Sequence, residues 1–118
     1  MTSTAAGGLG VFIGSVRSTD GGRAVESLRY EAHPSATEEL ERVCGSIADE
    51  YDVIHSAAEH RIGTLALGEV AVVVAVAAEH RADAISATHA LIDRIKAEVP
   101  IWKHQQFTDG TEEWIGCT

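Results

Sequence analysis

Residues 70–78, VAVVVAVAA, consist only of valine and alanine. A run of β-branched residues without alternation is typical of a strand covered on both faces, because every side chain then meets an apolar neighbour. The run has the length of one strand and is too short to cross a membrane as a helix. We therefore predict a central, buried strand over Val70–Ala78, and the rest of the sheet is expected to form around it.

The segment after this strand predicts a helix with a cationic N-terminus. Glu79-His80-Arg81 joins the strand to a helical pattern that extends from Ala82 to about Val99. Its predicted buried stripe follows three-four spacing and consists of Ile85, Leu91, Ile92 and Ile95. The first turn of a helix presents free N–H groups and a partial positive charge, which His80 and Arg81 would reinforce. An anion could bind at this junction.

The helix is predicted to end at a proline that lies between the only two lysines of the chain. Pro100 has no backbone N–H and disfavours helical geometry at Val99, so the chain should turn sharply there. Lys96 precedes this bend and Lys103 follows it. We expect the two ammonium groups to face one pocket.

Two further strands are predicted before the first helix. Leu9–Val16 is an apolar run with glycine punctuation, and we predict a buried strand that ends at Arg17. Residues 18–22 have strong turn chemistry, so Arg17 should project from the strand end into a loop. Arg23–Ala32 shows alternation between apolar and polar residues, which predicts a half-buried strand.

The remaining pattern completes an α+β arrangement. Ser35 and Glu38 have the spacing of a capping box at the start of a helix. The apolar stripe of that helix comprises Leu40, Val43, Cys44, Ile47, Ala48 and Tyr51. Val53–His60 is predicted as a third strand, and Trp114-Ile115 as a last short strand or clasp. We therefore predict an α+β fold with a mixed or antiparallel sheet, two main helices and a small β-rich portion, as one domain over residues 1–118.

The charge balance excludes two classes of partner. The chain has 18 acidic and 9 basic residues, for a formal net charge of −9. Nucleic acids and anionic membranes require a basic face, so we predict binding to neither. The N-terminal residues lack the basic and apolar segments of a secretory signal, and no apolar run is long enough to span a bilayer. These features predict a cytoplasmic protein.

The sequence predicts no bound metal, no cofactor and no nucleophile of its own. Cys44 and Cys117 are predicted to be a buried thiol and a tail thiol without catalytic function. The histidines at positions 33, 55, 60, 89 and 104 lack metal-ligand spacing and are predicted to be surface or satisfied core groups. Any sulfur chemistry would therefore need sulfur from outside the chain.

Five basic residues form the candidate site. They lie at a strand end, a strand-to-helix junction and a helix end, and they are Arg17, His80, Arg81, Lys96 and Lys103. Ligand sites are common at such positions because regular elements hold the side chains while loops keep them accessible. The alternative interpretation is that Arg17, Arg81 and both lysines are ordinary solvated charges.

Together with their neighbours, these residues resemble the large, catalytic subunit of molybdopterin synthase. The resemblance extends from Gly10 to Gly116, and the order and spacing of its segments make it specific. The segments are Val11–Arg17, Leu28–Ala32, His60–Gly63 with Leu65 and Gly68-Glu69, Ala78–Arg81, Ile95-Lys96, Val99–Lys103 and Glu113-Trp114.

The resemblance implies an α/β hammerhead fold and a sulfurtransferase of molybdenum cofactor biosynthesis. Such an enzyme installs the two sulfurs of a dithiolene on cyclic pyranopterin monophosphate. The sulfur comes from the C-terminal glycine thiocarboxylate of a small ubiquitin-like partner, and two large subunits form a homodimer within a heterotetramer. By motif, Lys96 is the principal catalytic lysine and Lys103 the second, which also binds substrate. The resemblance also implies that Arg17, His80 and Arg81 line the pocket that binds the anionic reactants.

Two alternatives stay open. A noncatalytic module could bind a ubiquitin-like tail or a small anion without converting it. Independently, Arg17 or Arg81 could serve the pocket of a neighbouring protomer rather than its own. The lysine pair favours catalysis, because phosphate and thiocarboxylate are both anions, and fixed cations lower the cost of bringing them together.

Overall fold

The structure is a computed structural model that describes residues 4–117, without the side chain of Cys117. Its elements in chain order are β1 (Gly8–Ser15), β2 (Thr19–Asp20), β3 (Arg23–Ala32), α1 (Ala36–Ser46), a 3-10 turn (Ile47–Asp49), β4 (His55–His60), β5 (Gly63–Leu65), β6 (Val70–Ala78), α2 (Arg81–Glu98), β7 (Ile101–Phe107) and β8 (Glu112–Cys117). Neither α1 nor α2 is long and apolar enough to cross a lipid bilayer.

The strands form two antiparallel sheets, which confirms the predicted α+β class. In the first sheet β6 lies between β1 and β4. In the second, β3 pairs with β7 and β7 pairs with β8, while the short strands β2 and β5 pair with β3. The full length of β7 is not predicted from the sequence, because its polar residues obscure the pattern of a strand that is paired on both sides.

The two faces of the first sheet are covered to different degrees. Val72, Val74 and Val76 of β6 pack in one core cluster with residues of α1 and α2. On β1, in contrast, Leu9, Val11 and Ile13 are 52%, 52% and 57% exposed. The prediction that β1 is buried is therefore wrong. Both helices pack on one side of the sheet. On the opposite side of β6, Ala71 and Ala77 are buried while Val73 and Ala75 are only half-buried, so this face of β6 is covered in part.

The helices differ from the sequence pattern in detail. Ile85, predicted to be buried, is 64% exposed, and Ala48 is also exposed. The buried face of α2 instead begins with the small residues Ala84, Ala87 and Thr88. This happens because α2 approaches β1 very closely, and only small side chains fit there.

The predicted capping box is absent. Ser35 is the N-cap residue of α1, but its side chain makes no capping hydrogen bond, and its backbone is already helical with φ −82° and ψ −2°. Its Oγ lies 2.8 Å from Nδ1 of His33 instead. The N–H of Ala36 is satisfied by the carbonyl oxygen of His33.

Gly10 marks the closest approach of α2 to β1, and Gly10→Ala is expected to destabilise the protein. A Cβ at this position would lie 2.2 Å from Oγ1 of Thr88 and 2.6 Å from the carbonyl oxygen of Ala84. Overpacking of this kind costs about 2–3 kcal/mol in the free energy of unfolding, which urea denaturation would measure. The matched control is Gly45→Ala in α1, where a Cβ meets nothing within 4 Å. That change should stabilise the protein by about 0.5–1 kcal/mol, and equal stability of both variants would contradict the close packing.

Candidate active site

A cavity of about 420 Å³ lies where the end of β1, the C-terminal end of α2 and the start of β7 meet. Three of the predicted site residues line it, namely Arg17, Lys96 and Lys103. Its apolar walls include Phe12 and Ile92. The cavity is thus a cationic site with an apolar lining, inside a chain of net charge −9.

The Pro100 bend positions the two lysines. Lys96 lies in the last turn of α2, and Val99 has the extended backbone expected before a proline, with φ −84° and ψ 125°. The chain then enters β7, where Lys103 is partly buried and pairs in register with Tyr30 of β3. Within residues 4–117 neither ammonium group has an ion pair within 4 Å or a hydrogen bond, so both remain available to a ligand.

Arg17 reaches the cavity from the loop after β1. Its guanidinium lies 3.7 Å from a carboxylate oxygen of Asp20, and both residues line the cavity. Asp20 accepts a second contact of 2.7 Å from Nε2 of Gln105, which is only 4% exposed. This hydrogen bond from Gln105, with the nearby Lys103, Arg17 and Arg23, lowers the pKa of the Asp20 carboxyl, so Asp20 is charged at neutral pH.

His60 also lines this cavity, although the sequence predicted a surface or satisfied core group. Its Nδ1 lies 2.6 Å from the carbonyl oxygen of Arg61, and because a carbonyl only accepts, Nδ1 carries the hydrogen. Its ring meets Tyr30 edge-on, at 4.7 Å between centroids. Burial, reinforced by the Lys96 ammonium, lowers the pKa of His60, although the bond to Arg61 opposes this shift. His60 is therefore neutral at pH 7, with Nε2 as a hydrogen-bond acceptor.

His80 and Arg81 do not line this cavity. They lie at the N-terminal end of α2, and Lys96 lies 15 residues farther along the helix than Arg81. At the rise of an α-helix this separation is about 22 Å. Both side chains are exposed, and the nearest carboxylate to His80 is that of Glu79, at 3.8 Å. The structure thus brings together three of the five predicted residues within one chain.

Cys44 and His55 lie away from this cavity. A wider groove between α1 and β4 is lined by Cys44, His55 and Glu41 and contains no lysine or arginine. Burial raises the pKa of the Cys44 thiol, which keeps it protonated and weakly nucleophilic. Within the described residues no group of three histidine, cysteine or acidic side chains could hold a metal ion.

Three cavity residues were missed from the sequence. Asp20 was predicted only as part of a turn, His60 only as a strand end with a surface or satisfied core side chain, and Gln105 was not assigned a function. The available signal for Asp20 was its position three residues after Arg17. For Gln105 the signal exists only once β7 pairs with β3, and for His60 only once β4 pairs with β6, because those pairings set which side chains face the cavity.

The fold and the cavity together define a small α+β protein with a partly apolar cavity that is lined by two lysines and an arginine. A family model described as MoaE protein matches residues 1–98. The chain is 39% identical over 116 residues to a molybdopterin synthase catalytic subunit from Pyrococcus abyssi, covering 98% of this chain and 78% of that protein. It is 42% identical to the Arabidopsis thaliana catalytic subunit, covering 92% of this chain but 55% of that protein. A molybdopterin synthase structure from Staphylococcus aureus matches with a TM-score of 0.89 at 37% identity, covering 98% of this chain and 84% of that one.

The chain belongs to the MoaE family, the catalytic subunits of molybdopterin synthase. The resemblance stated from the sequence is thereby confirmed, and with it the assignment to an enzyme of molybdopterin biosynthesis.

Proposed function

We propose that this chain transfers sulfur from the C-terminal glycine thiocarboxylate of a small ubiquitin-like partner to cyclic pyranopterin monophosphate, forming the molybdopterin dithiolene. The observation that carries the proposal is the convergence of Arg17, Lys96 and Lys103 on one cavity. Both reactants are anions, and fixed cations in a partly apolar site lower the electrostatic cost of their encounter. The proposal includes a homodimer within a heterotetramer, and a cytoplasmic location because the named relatives are subunits of a biosynthetic enzyme.

Each sulfur transfer balances without an oxidant or reductant. The thiocarboxylate sulfur forms a bond to a substrate carbon, and an oxygen leaving group departs from that carbon with a proton. Water then cleaves the bond between the sulfur and the acyl carbon. This step leaves the sulfur on the substrate and returns the partner's terminus as a carboxylate, so two partner molecules supply one dithiolene.

In this proposal each side chain of the cavity has its own role in the transfer. Lys96 delivers the proton to the departing oxygen, because its ammonium group is exposed to the cavity and free of any ion pair in the described chain. The neutral His60 beside it adds an acceptor without adding positive charge. Lys103 and Arg17 bind the phosphate or the thiocarboxylate tail by charge-assisted hydrogen bonds.

His80 and Arg81 enter this proposal as residues of a second copy. The separation of about 22 Å along α2 is too large for them to reach the cavity of their own chain. A homodimer allows the N-terminal end of α2 from one copy to approach the cavity of the other, since symmetric contacts bring different parts of two identical chains together. In this arrangement each complete pocket contains residues of both protomers.

The function is tested by combining the protein with its thiocarboxylated partner and the cyclic pterin and then quantifying dithiolene product. Product should form only when the partner carries the thiocarboxylate, and the carboxylate form is the control. Binding of the partner tail without any product would instead identify the chain as a noncatalytic module.

Lys103→Ala is expected to weaken substrate retention more than turnover. Loss of one charge-assisted hydrogen bond should raise the apparent KM for the pterin about tenfold, with a smaller change in kcat. Steady-state kinetics at fixed partner concentration would measure both. Arg42→Ala is the matched control, because Arg42 is an exposed cation on α1 that pairs with Glu39 and Glu98 away from the cavity. An unchanged KM for Lys103→Ala would remove this residue from the binding site.

A further inference from the structure

Asp20 is the one carboxylate among the side chains that line the cationic cavity in the described chain. It shares the cavity with Arg17, Lys96 and Lys103, and its carboxylate lies 3.7 Å from the Arg17 guanidinium. A carboxylate in an anion site weakens ligand binding, so its presence requires an explanation.

The fold holds Asp20 in this position from two directions. Gln105, which is 4% exposed on β7, donates from Nε2 to the carboxylate at 2.7 Å. Asp20 also pairs with Arg23 across a two-residue hairpin turn, in which Gly21 and Gly22 have φ of +58° and +78°. Positive φ at both turn residues matches a tight hairpin whose twist suits the flanking strands. Asp20 is therefore placed by β2, β3 and β7 together and is not a freely moving loop residue.

We propose that Asp20 is an internal counter-anion that sets how much negative charge the cavity accepts, and thereby acts as a specificity-determining residue. This inference rests on the proposed function, because it takes the two anionic reactants as the ligands. Three cations and one carboxylate give the cavity a formal charge of +2. A cyclic phosphate diester and a thiocarboxylate carry one negative charge each, so the two reactants together balance this charge.

The consequence is a cavity matched to two monoanions. With Asp20 neutralised, the formal charge would become +3, and a more highly charged anion would gain the most. The Coulomb energy is proportional to ligand charge, so removal of the carboxylate should favour a dianion about twice as strongly, in free energy, as a monoanion.

The experiment compares two simple probes by isothermal titration calorimetry at mildly alkaline pH and constant ionic strength. Inorganic phosphate is mainly a dianion under these conditions, and dimethyl phosphate is a monoanion. Asp20→Asn preserves an oxygen that can accept the hydrogen bond from Gln105. Its affinity should rise about threefold for dimethyl phosphate and about tenfold for phosphate. Asp20→Glu keeps the charge and should remain near the wild-type protein for both probes.

Glu26→Gln is the charge-matched control, because Glu26 is an exposed residue of β3 outside the cavity, and it should leave both affinities unchanged. Equal gains for the two probes, or the same gain in Asp20→Glu, would show that the loop rather than the charge is responsible and would overturn the inference. An unchanged affinity in Asp20→Asn would also overturn it, while the anion site itself would stand. If neither the wild-type protein nor Asp20→Asn bound either probe, the proposed function would lose its anion site as well.

Discussion

Lys96→Ala is expected to lower kcat for dithiolene formation by about 10³-fold, the range in which a lost proton-transfer group usually falls. Lys96 lies in the last turn of α2 and faces the cavity, and within residues 4–117 its ammonium group makes no ion pair. The substitution therefore removes a reacting group without leaving a buried partner unsatisfied, and the thermal unfolding midpoint should change little. Single-turnover product formation with the thiocarboxylated partner measures the effect.

The matched variant Lys96→Arg separates charge from proton transfer. Arginine keeps the positive charge but does not release a proton at neutral pH, so this variant should bind the pterin and still fail to turn it over. Arg42→Ala, which alters an exposed cation of α1, should retain the wild-type rate. Turnover by Lys96→Ala at the wild-type rate would exclude Lys96 from the chemistry.

A mixture of Lys96→Ala and Arg81→Ala is expected to recover activity that neither variant has alone. If Arg81 acts in the cavity of the other copy, a mixed dimer contains one pocket with both residues intact and one pocket with neither. Random exchange of subunits makes half of the dimers mixed, so the mixture should reach about a quarter of the wild-type activity. If instead both residues acted within one chain, no pocket would be complete.

The control mixture combines Lys96→Ala with Arg17→Ala. Both of these residues line the cavity of the same chain, so mixed dimers should show no more activity than the two variants give separately. Native mass spectrometry would establish that mixed dimers form in both mixtures. Mixed dimers of Lys96→Ala and Arg81→Ala without any recovered activity would contradict the shared pocket.

Several elements could be predicted from the sequence because their causes are local. β3 and β6 have the predicted bounds, Arg23–Ala32 and Val70–Ala78, since alternation and β-branched runs are properties of neighbouring residues. The end of α2 before Pro100 follows from the missing N–H and the steric demand of the proline ring. The convergence of both lysines on one cavity also follows from this bend.

Other features could not be predicted because they depend on residues far apart in sequence. The pattern of β1 is apolar whether or not another layer covers it, so its exposure could not be inferred. Ile85 fits the buried stripe of α2, yet the approach of β1 at Gly10 selects the face with alanine and threonine instead. Ser35 and Glu38 have capping spacing, but the turn at His33 supplies another partner.

Short-range patterns and ordered motifs were enough to infer the α+β class, the principal strands, the bend that separates Lys96 from Lys103, and the family. The folded chain was needed to show that Asp20, His60 and Gln105 share the cavity with those lysines, and that Arg81 does not. The physical reason is that strand pairing and the length of a helix fix distances between residues remote in sequence. Those distances cannot be inferred from the periodicity or the composition of the sequence.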